Sequence, residues 1–180
     1  MSIEEFIKID NGFNESMFLT KVNNIFVQLF TSIMLDEIDN AKHFISDEVY
    51  DWAINKLNSV KSNNWRQMYD ELNVKETEIR SIEVNESVYT IKVYLQSRYL
   101  DYIIDLSNGK IVSGDDYSRR QVNYMLTFTK KVDTKDQHAI RRCPGCGAPL
   151  NVNDSGKCEY CGAIYNQEDY DWVLSKLEIS

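Results

Sequence analysis

Proline and glycine are scarce in this 180-residue chain, with 2 and 7 copies, which excludes long linkers and low-complexity segments. Uninterrupted apolar runs are missing too: no stretch approaches the roughly 18 residues that a membrane-spanning helix needs. The N-terminus, Met-Ser-Ile-Glu-Glu-Phe, has no positive segment leading into an apolar one, so it does not read as a secretory signal. A cytoplasmic, reducing setting is therefore the expectation. Histidine is limited to His43 and His138; neither has a partner in sequence, and both read as surface residues. No G-x-S-x-G, P-loop, G-x-G-x-x-G or H-E-x-x-H occurs. Positive charge is in deficit, 20 Lys+Arg against 28 Asp+Glu, or 20 − 28 = −8. That balance disfavours phosphate-rich partners and anionic membrane.

What is present is core-forming material: 43% apolar and 12% aromatic residues, enough for one globular domain with an appendage. Charge is uneven. Residues 1–60 carry 10 acidic and 4 basic side chains, net −6; residues 61–140 balance at 12 and 12; residues 141–180 carry 6 and 4, net −2. The division expected is an N-terminal arm over 1–12, an α+β domain over 13–136, and a cysteine module with an aromatic tail over 137–180.

Residues 1–12 end in Asn-Gly and read as an arm or a short helix. Asn14 is placed to cap a helix whose stripe is Phe18, Val22, Ile25, Phe26, Leu29 and Ile33. Asp36–His43 reads as a short acidic helical turn. Ser46 caps a third helix through Val49, Trp52, Ala53 and Leu57, which Lys61–Asn64 closes. The period then drops to two. Strands are expected over Leu72–Val84, around Tyr89–Leu95, over Arg98–Leu106, and last over Val122–Phe128, with a hairpin turn at Ser107–Lys110. Helices followed by an antiparallel meander give an α+β fold: a bent sheet with helices packed on one face.

The strongest chemical signal is Cys143-Pro-Gly-Cys146-Gly followed eleven residues later by Cys158-Glu-Tyr-Cys161-Gly. Two residues between cysteines fold into a knuckle that aims both sulfurs at one ion, and the following glycine permits the backbone that this turn requires. Cys143, Cys146, Cys158 and Cys161 would complete a closed tetrahedral Zn²⁺ site, structural because no position is left for water. The unit reads as a small zinc ribbon whose turn is Asp154-Ser155-Gly156. Two disulfides, or an iron centre on the same thiolates, are the alternatives. The tail with Tyr165, Tyr170, Trp172, Val173, Leu174 and Leu177 reads as a short helix capping the ribbon or docking on the main domain. It would serve as local core or as an aromatic partner surface.

Arg98-Tyr-Leu-Asp-Tyr-Ile-Ile-Asp105, the two cysteine knuckles within Cys143–Leu150 and Gly156–Cys161, and Tyr170-Asp-Trp-Val-Leu174 occur here together. In this the chain resembles bacterial proteins similar to the C-terminal domain of the mitochondrial inner-membrane translocase subunit that tethers the import motor. The resemblance covers about residues 15–132, with the ribbon as the usual bacterial addition. It implies a nuclear-transport-factor-2-like fold, a cone of helices and bent sheet enclosing a pocket. It also implies an adaptor rather than an enzyme, in a family whose eukaryotic members bind partner proteins and anionic lipid. This chain departs from them in lacking a basic membrane-binding N-terminal segment.

The function expected is therefore a non-enzymatic interaction module for a protein segment or a small apolar ligand in the cone, with dimers common among folds of this shape. An isomerase, dehydratase or hydrolase would need an acid or base inside the cone, and Asp101 or Asp105, beside Tyr99 and opposite Tyr102, are the candidates. Strand parity instead points both aspartates to solvent, with Leu100, Tyr102 and Ile104 inward. Asp115-Asp116 is at most a weak cation site. Arg119-Arg120, Arg141-Arg142 and Lys157 could support nucleic-acid binding, but a net −2 module whose zinc tetrathiolate adds about −2 opposes it.

Overall fold

The computed structural model describes residues 1–132, 141–142, 146–150, 158–162 and 171–180. Helix α1 (Ile3–Ile9) opens on a reciprocal capping box: the Ser2 hydroxyl accepts from the Glu5 backbone N–H and the Glu5 carboxylate accepts from the Ser2 N–H. The first twelve residues thus form the short helix rather than a loose arm, and Phe6 is fully buried between Phe13, Tyr89 and Trp172. Asn14 caps helix α2 (Glu15–Met34) by accepting from the Met17 N–H at 2.9 Å. Its expected stripe, with Phe30 added, is the buried face. A 3₁₀ turn (Ile38–Phe44) follows. Helix α3 (Asp47–Lys61) is capped by Ser46.

Strand β1 (Trp65–Val84) pairs antiparallel with β2 (Val88–Asp105), and β2 pairs with β3 (Ile111–Gly114) and β4 (Arg120–Lys131). The order is β1-β2-β4-β7, with β3 alongside β2 and β7 spanning Val173–Ile179, so the fold is α+β with an open antiparallel five-stranded sheet. A separate two-stranded hairpin pairs β5 (Arg141–Arg142) with β6 (Pro149–Leu150).

Three expectations need correction here. The strands expected at 89–95 and 98–106 are one: Gln96 and Ser97 stay in register with Asn123 and Val122, and the Ser97 hydroxyl donates to the Val122 carbonyl at 2.7 Å. Strand β1 starts at Trp65 rather than Leu72. Its register shifts at Asp70/Asn73, Val74/Glu76 and Ile79/Ser81, and each bulge bends the strand and breaks the period-two pattern. The tail from Asp171 on is not a helix. Its residues after Trp172 form β7, which pairs along β4 from Thr129↔Val173 to Tyr124↔Ile179, so β4 is not the last strand. Val173 and Leu174 bury against the sheet where a helix would have left the β4 edge bare.

The core lies between α2 and the sheet. Phe30 sits at its centre, with ring centroids 4.9 Å from Tyr69, 5.7 Å from Tyr124 and 6.0 Å from Tyr99. These rings occupy the inner face of the sheet where a cone pocket was expected. Among the described residues, no helix is long and apolar enough to cross a membrane.

Candidate functional site

Cys146, Cys158 and Cys161 converge, with their sulfur atoms all within 4.8 Å of one another. The Cys146 and Cys158 sulfurs are 3.6 Å apart. That is non-bonded, since a disulfide would bring them to about 2.05 Å. It is instead close to the edge of a tetrahedron of sulfurs each about 2.3 Å from a zinc ion, which is about 3.8 Å. The backbone repeats itself just after Cys146 and Cys161. Gly147 and Gly162, each following a cysteine, have φ of +73° and +74°. A Cβ would meet nothing within 4 Å at either, so the left-handed backbone alone calls for glycine. The Gly162 N–H donates to the Cys158 carbonyl at 2.9 Å, closing the second knuckle. Cys158 is buried, while Cys146 and Cys161 are exposed. Three soft thiol donors so arranged can hold a metal ion. Cys143, the Asp154–Gly156 turn, Tyr165, Tyr170 and His138 lie outside the described residues.

The aspartate candidates separate. Buried residues of β2 alternate from Tyr89 through Tyr99, so the inward face is the odd-numbered one. This reverses the expected parity: Tyr99 is core, and Asp101 follows it on the inward side with about a third of its side chain exposed. Leu100 is buried as well, but Tyr102 and Ile104 are only partly so. The Asp101 carboxylate accepts from Gln67 Nε2 at 2.7 Å and faces Arg120 at 3.7 Å. Nearby, the Tyr99 and Tyr124 hydroxyls share a hydrogen bond of 2.7 Å, while the buried Tyr69 hydroxyl has no partner among the described residues. Burial pushes all three phenols up from their ordinary pKa, and the Asp101 charge adds to this. They stay protonated near neutrality and cannot take a proton there. Asp105 is a turn residue: it accepts from the Ser107 hydroxyl and N–H at 2.5 and 2.8 Å, bonds that hold its carboxyl below the usual range. Asp115 does the same for the Ser118 and Tyr117 N–H groups.

Open concavity lies elsewhere, on the outer flank of α2. Three depressions of about 140, 290 and 300 Å³ follow one another along it. The first two share Met17, Lys21 and Trp172; the second and third share Gln28 and Phe44. Neither Asp101 nor Asp105 lines any of them. His43 does, and it is buried rather than a surface residue, its ring edge-on to Phe44 at 4.6 Å. The 3₁₀ turn tucks it inward beside buried Ile38 and Ala41. The stretch Asp171–Ser175 borders both sides of this furrow. On one side, Lys21 pairs with Asp171, Lys130 pairs with Asp10 at 2.6 Å, and Trp172 packs edge-on to Phe18 at 5.2 Å. On the other, the Ser46 N–H and hydroxyl donate to the Leu174 and Ser175 carbonyls at 2.9 and 3.0 Å, and Ile45 bridges Leu174. Sequence reasoning missed the furrow because Trp172 lies more than 120 residues from the helix that it flanks.

The Tim44-like domain matches residues 1–139. No curated protein matches the chain. Among solved structures, the crystal structure of the intermembrane space region of chloroplast protein ARC6 is a neighbour at 8% identity and a TM-score of 0.43, covering 89% of this chain and 94% of that one. The family match begins at the first residue, takes in α1 to α3 and β1 to β4, and stops before the cysteine knuckles and β7. The chain belongs to the Tim44-like domain family.

Proposed function

We propose that this protein is a non-enzymatic adaptor: an interaction module that binds a protein segment, in a cytoplasmic setting. Cys143, Cys146, Cys158 and Cys161 hold one structural Zn²⁺ in an appended ribbon. The observation that carries the reading is the placement of open space. The inner face of the sheet, where a pocket enzyme or a small apolar ligand would need room, carries Phe30 and three tyrosines, while three depressions follow one another along α2. Family membership favours the same reading. The zinc would act as a cross-link. Structural zinc is worth about 10–16 kcal/mol to a peptide of ribbon size, so the ion would supply the folding energy of that module.

Affinity capture from native lysate, with wild type and Asp101→Asn side by side, tests the reading. The same protein partner is expected with both. A small-molecule turnover that Asp101→Asn abolishes would overturn it.

A further inference from the structure

Taken end to end, the three depressions form one furrow running from Gly12 to Glu37 beside α2. Twenty helical residues span about 30 Å. That length accommodates a partner helix of similar size or about nine extended residues. Its chemistry changes along the way. At the N-terminal end the charged lining side chains are already matched, Lys21 with Asp171 and Lys130 with Asp10. Helix α2 has no basic residue in its last turn, so the negative end of its dipole stands uncompensated by its own side chains. There the third depression is lined by Val27, Leu35, Ala41 and Phe44, with Glu37 at its edge. Leu35 is 48% exposed, and so is Met17, at 73%, near the other end. The Glu37 carboxylate accepts one hydrogen bond, from Asn40, and takes part in no ion pair among the described residues. Asp36 and Asp39 flank it; they pair with Lys61 and Lys42 in exposed contacts that contribute little. About 300 Å³ is the lower end of a small-molecule pocket, room for an apolar anchor rather than for a lipid tail.

From this we infer that the furrow docks a basic amphipathic polypeptide segment. A large apolar side chain enters between Leu35 and Phe44, and a Lys or Arg beside it faces Glu37 and the carbonyl end of α2. The inference rests on the adaptor reading and deepens it. One of its walls, Asp171–Trp172, lies beyond the residues matched by the family.

The test is fluorescence anisotropy on the full chain with two labelled helical peptides of equal length, one of leucine and lysine, the other of leucine and glutamate. Vesicles of phosphatidylglycerol and phosphatidylcholine form a third arm. Variants Glu37→Lys and Met17→Glu change exposed side chains, and their melting curves check the fold. The lysine peptide is expected to bind, to weaken as salt rises, and to lose about tenfold in affinity in each variant, a factor equivalent to about 1.4 kcal/mol. The glutamate peptide and the vesicles are expected not to bind. Equal binding of both peptides, or preference for vesicles, overturns the basic-segment assignment. Lysine-peptide binding that survives both substitutions overturns the furrow while leaving an interaction module standing. Failure of both peptides also overturns the assignment, and the adaptor reading then depends on the capture experiment alone.

Discussion

Tyr69, Tyr99 and Tyr124 are the residues at which the enzyme reading meets its physical obstacle. A phenol buried against Phe30 with no room beside it is costly to ionise. The consequence is measurable, because phenol ionisation is read directly in the ultraviolet. A raised pKa in the folded state means that the native protein keeps protons which the unfolded chain releases near pH 10. The associated stability is present below about pH 10 and is lost as pH rises above it. Tyr102 differs: donating to the Asp70 carboxylate pushes it up to about 12 while it remains partly exposed. In an ultraviolet phenolate titration Tyr102 should therefore ionise late, and the three core tyrosines only together with unfolding. A single reversible titration of all 11 tyrosines near pH 10 would contradict the packing. Asp101 shows how a residue could be singled out in sequence yet be misplaced. Counting parity through the bulge-free β2 from Tyr89 puts it inward, whereas starting a new strand at Arg98 puts it outward.

Among the elements, α2 and α3 were legible from their N-terminal caps, because Asn14 and Ser46 hold them and their apolar spacing follows the helical period. Strand β1 was half legible, since its three bulges scramble alternation within a single strand. Strand β7 was not legible as a strand, because its partner β4 lies across an insertion and pairing of that range leaves no local mark. The convergence of Cys146, Cys158 and Cys161 was legible from spacing, and Gly147 and Gly162 take up the expected left-handed backbone. The insertion also sets how strongly a metal bound there would act on the sheet. Shortening a loop of about 40 residues by about 15 changes its closure cost by only about 0.4 kcal/mol. Chelation should thus unfold the cysteine module yet shift the melting of the main domain by no more than about 2 °C. Circular dichroism with and without chelator checks this, alongside metal analysis expected to give one zinc per chain. Loss of cooperative unfolding of the whole sheet would show that β7 depends on the ion.

At the scale of the whole molecule, charge and shape agree. The net −6 of the first 60 residues belongs to the helical layer that borders the furrow, while the sheet strands are nearly neutral. With Phe30 and three tyrosines on the inner face of the sheet, the proposed docking surface is the helical flank, bordered by Asp171 and Trp172 just ahead of β7. Hydrogen exchange of the complex with the captured partner tests this most directly. Protection is predicted along residues 12–37 and at 171–174, with little change at Trp65–Tyr69 and Tyr99–Asp105. Protection confined to the strands around Tyr69 and Asp101, with the flank of α2 unchanged, would contradict it.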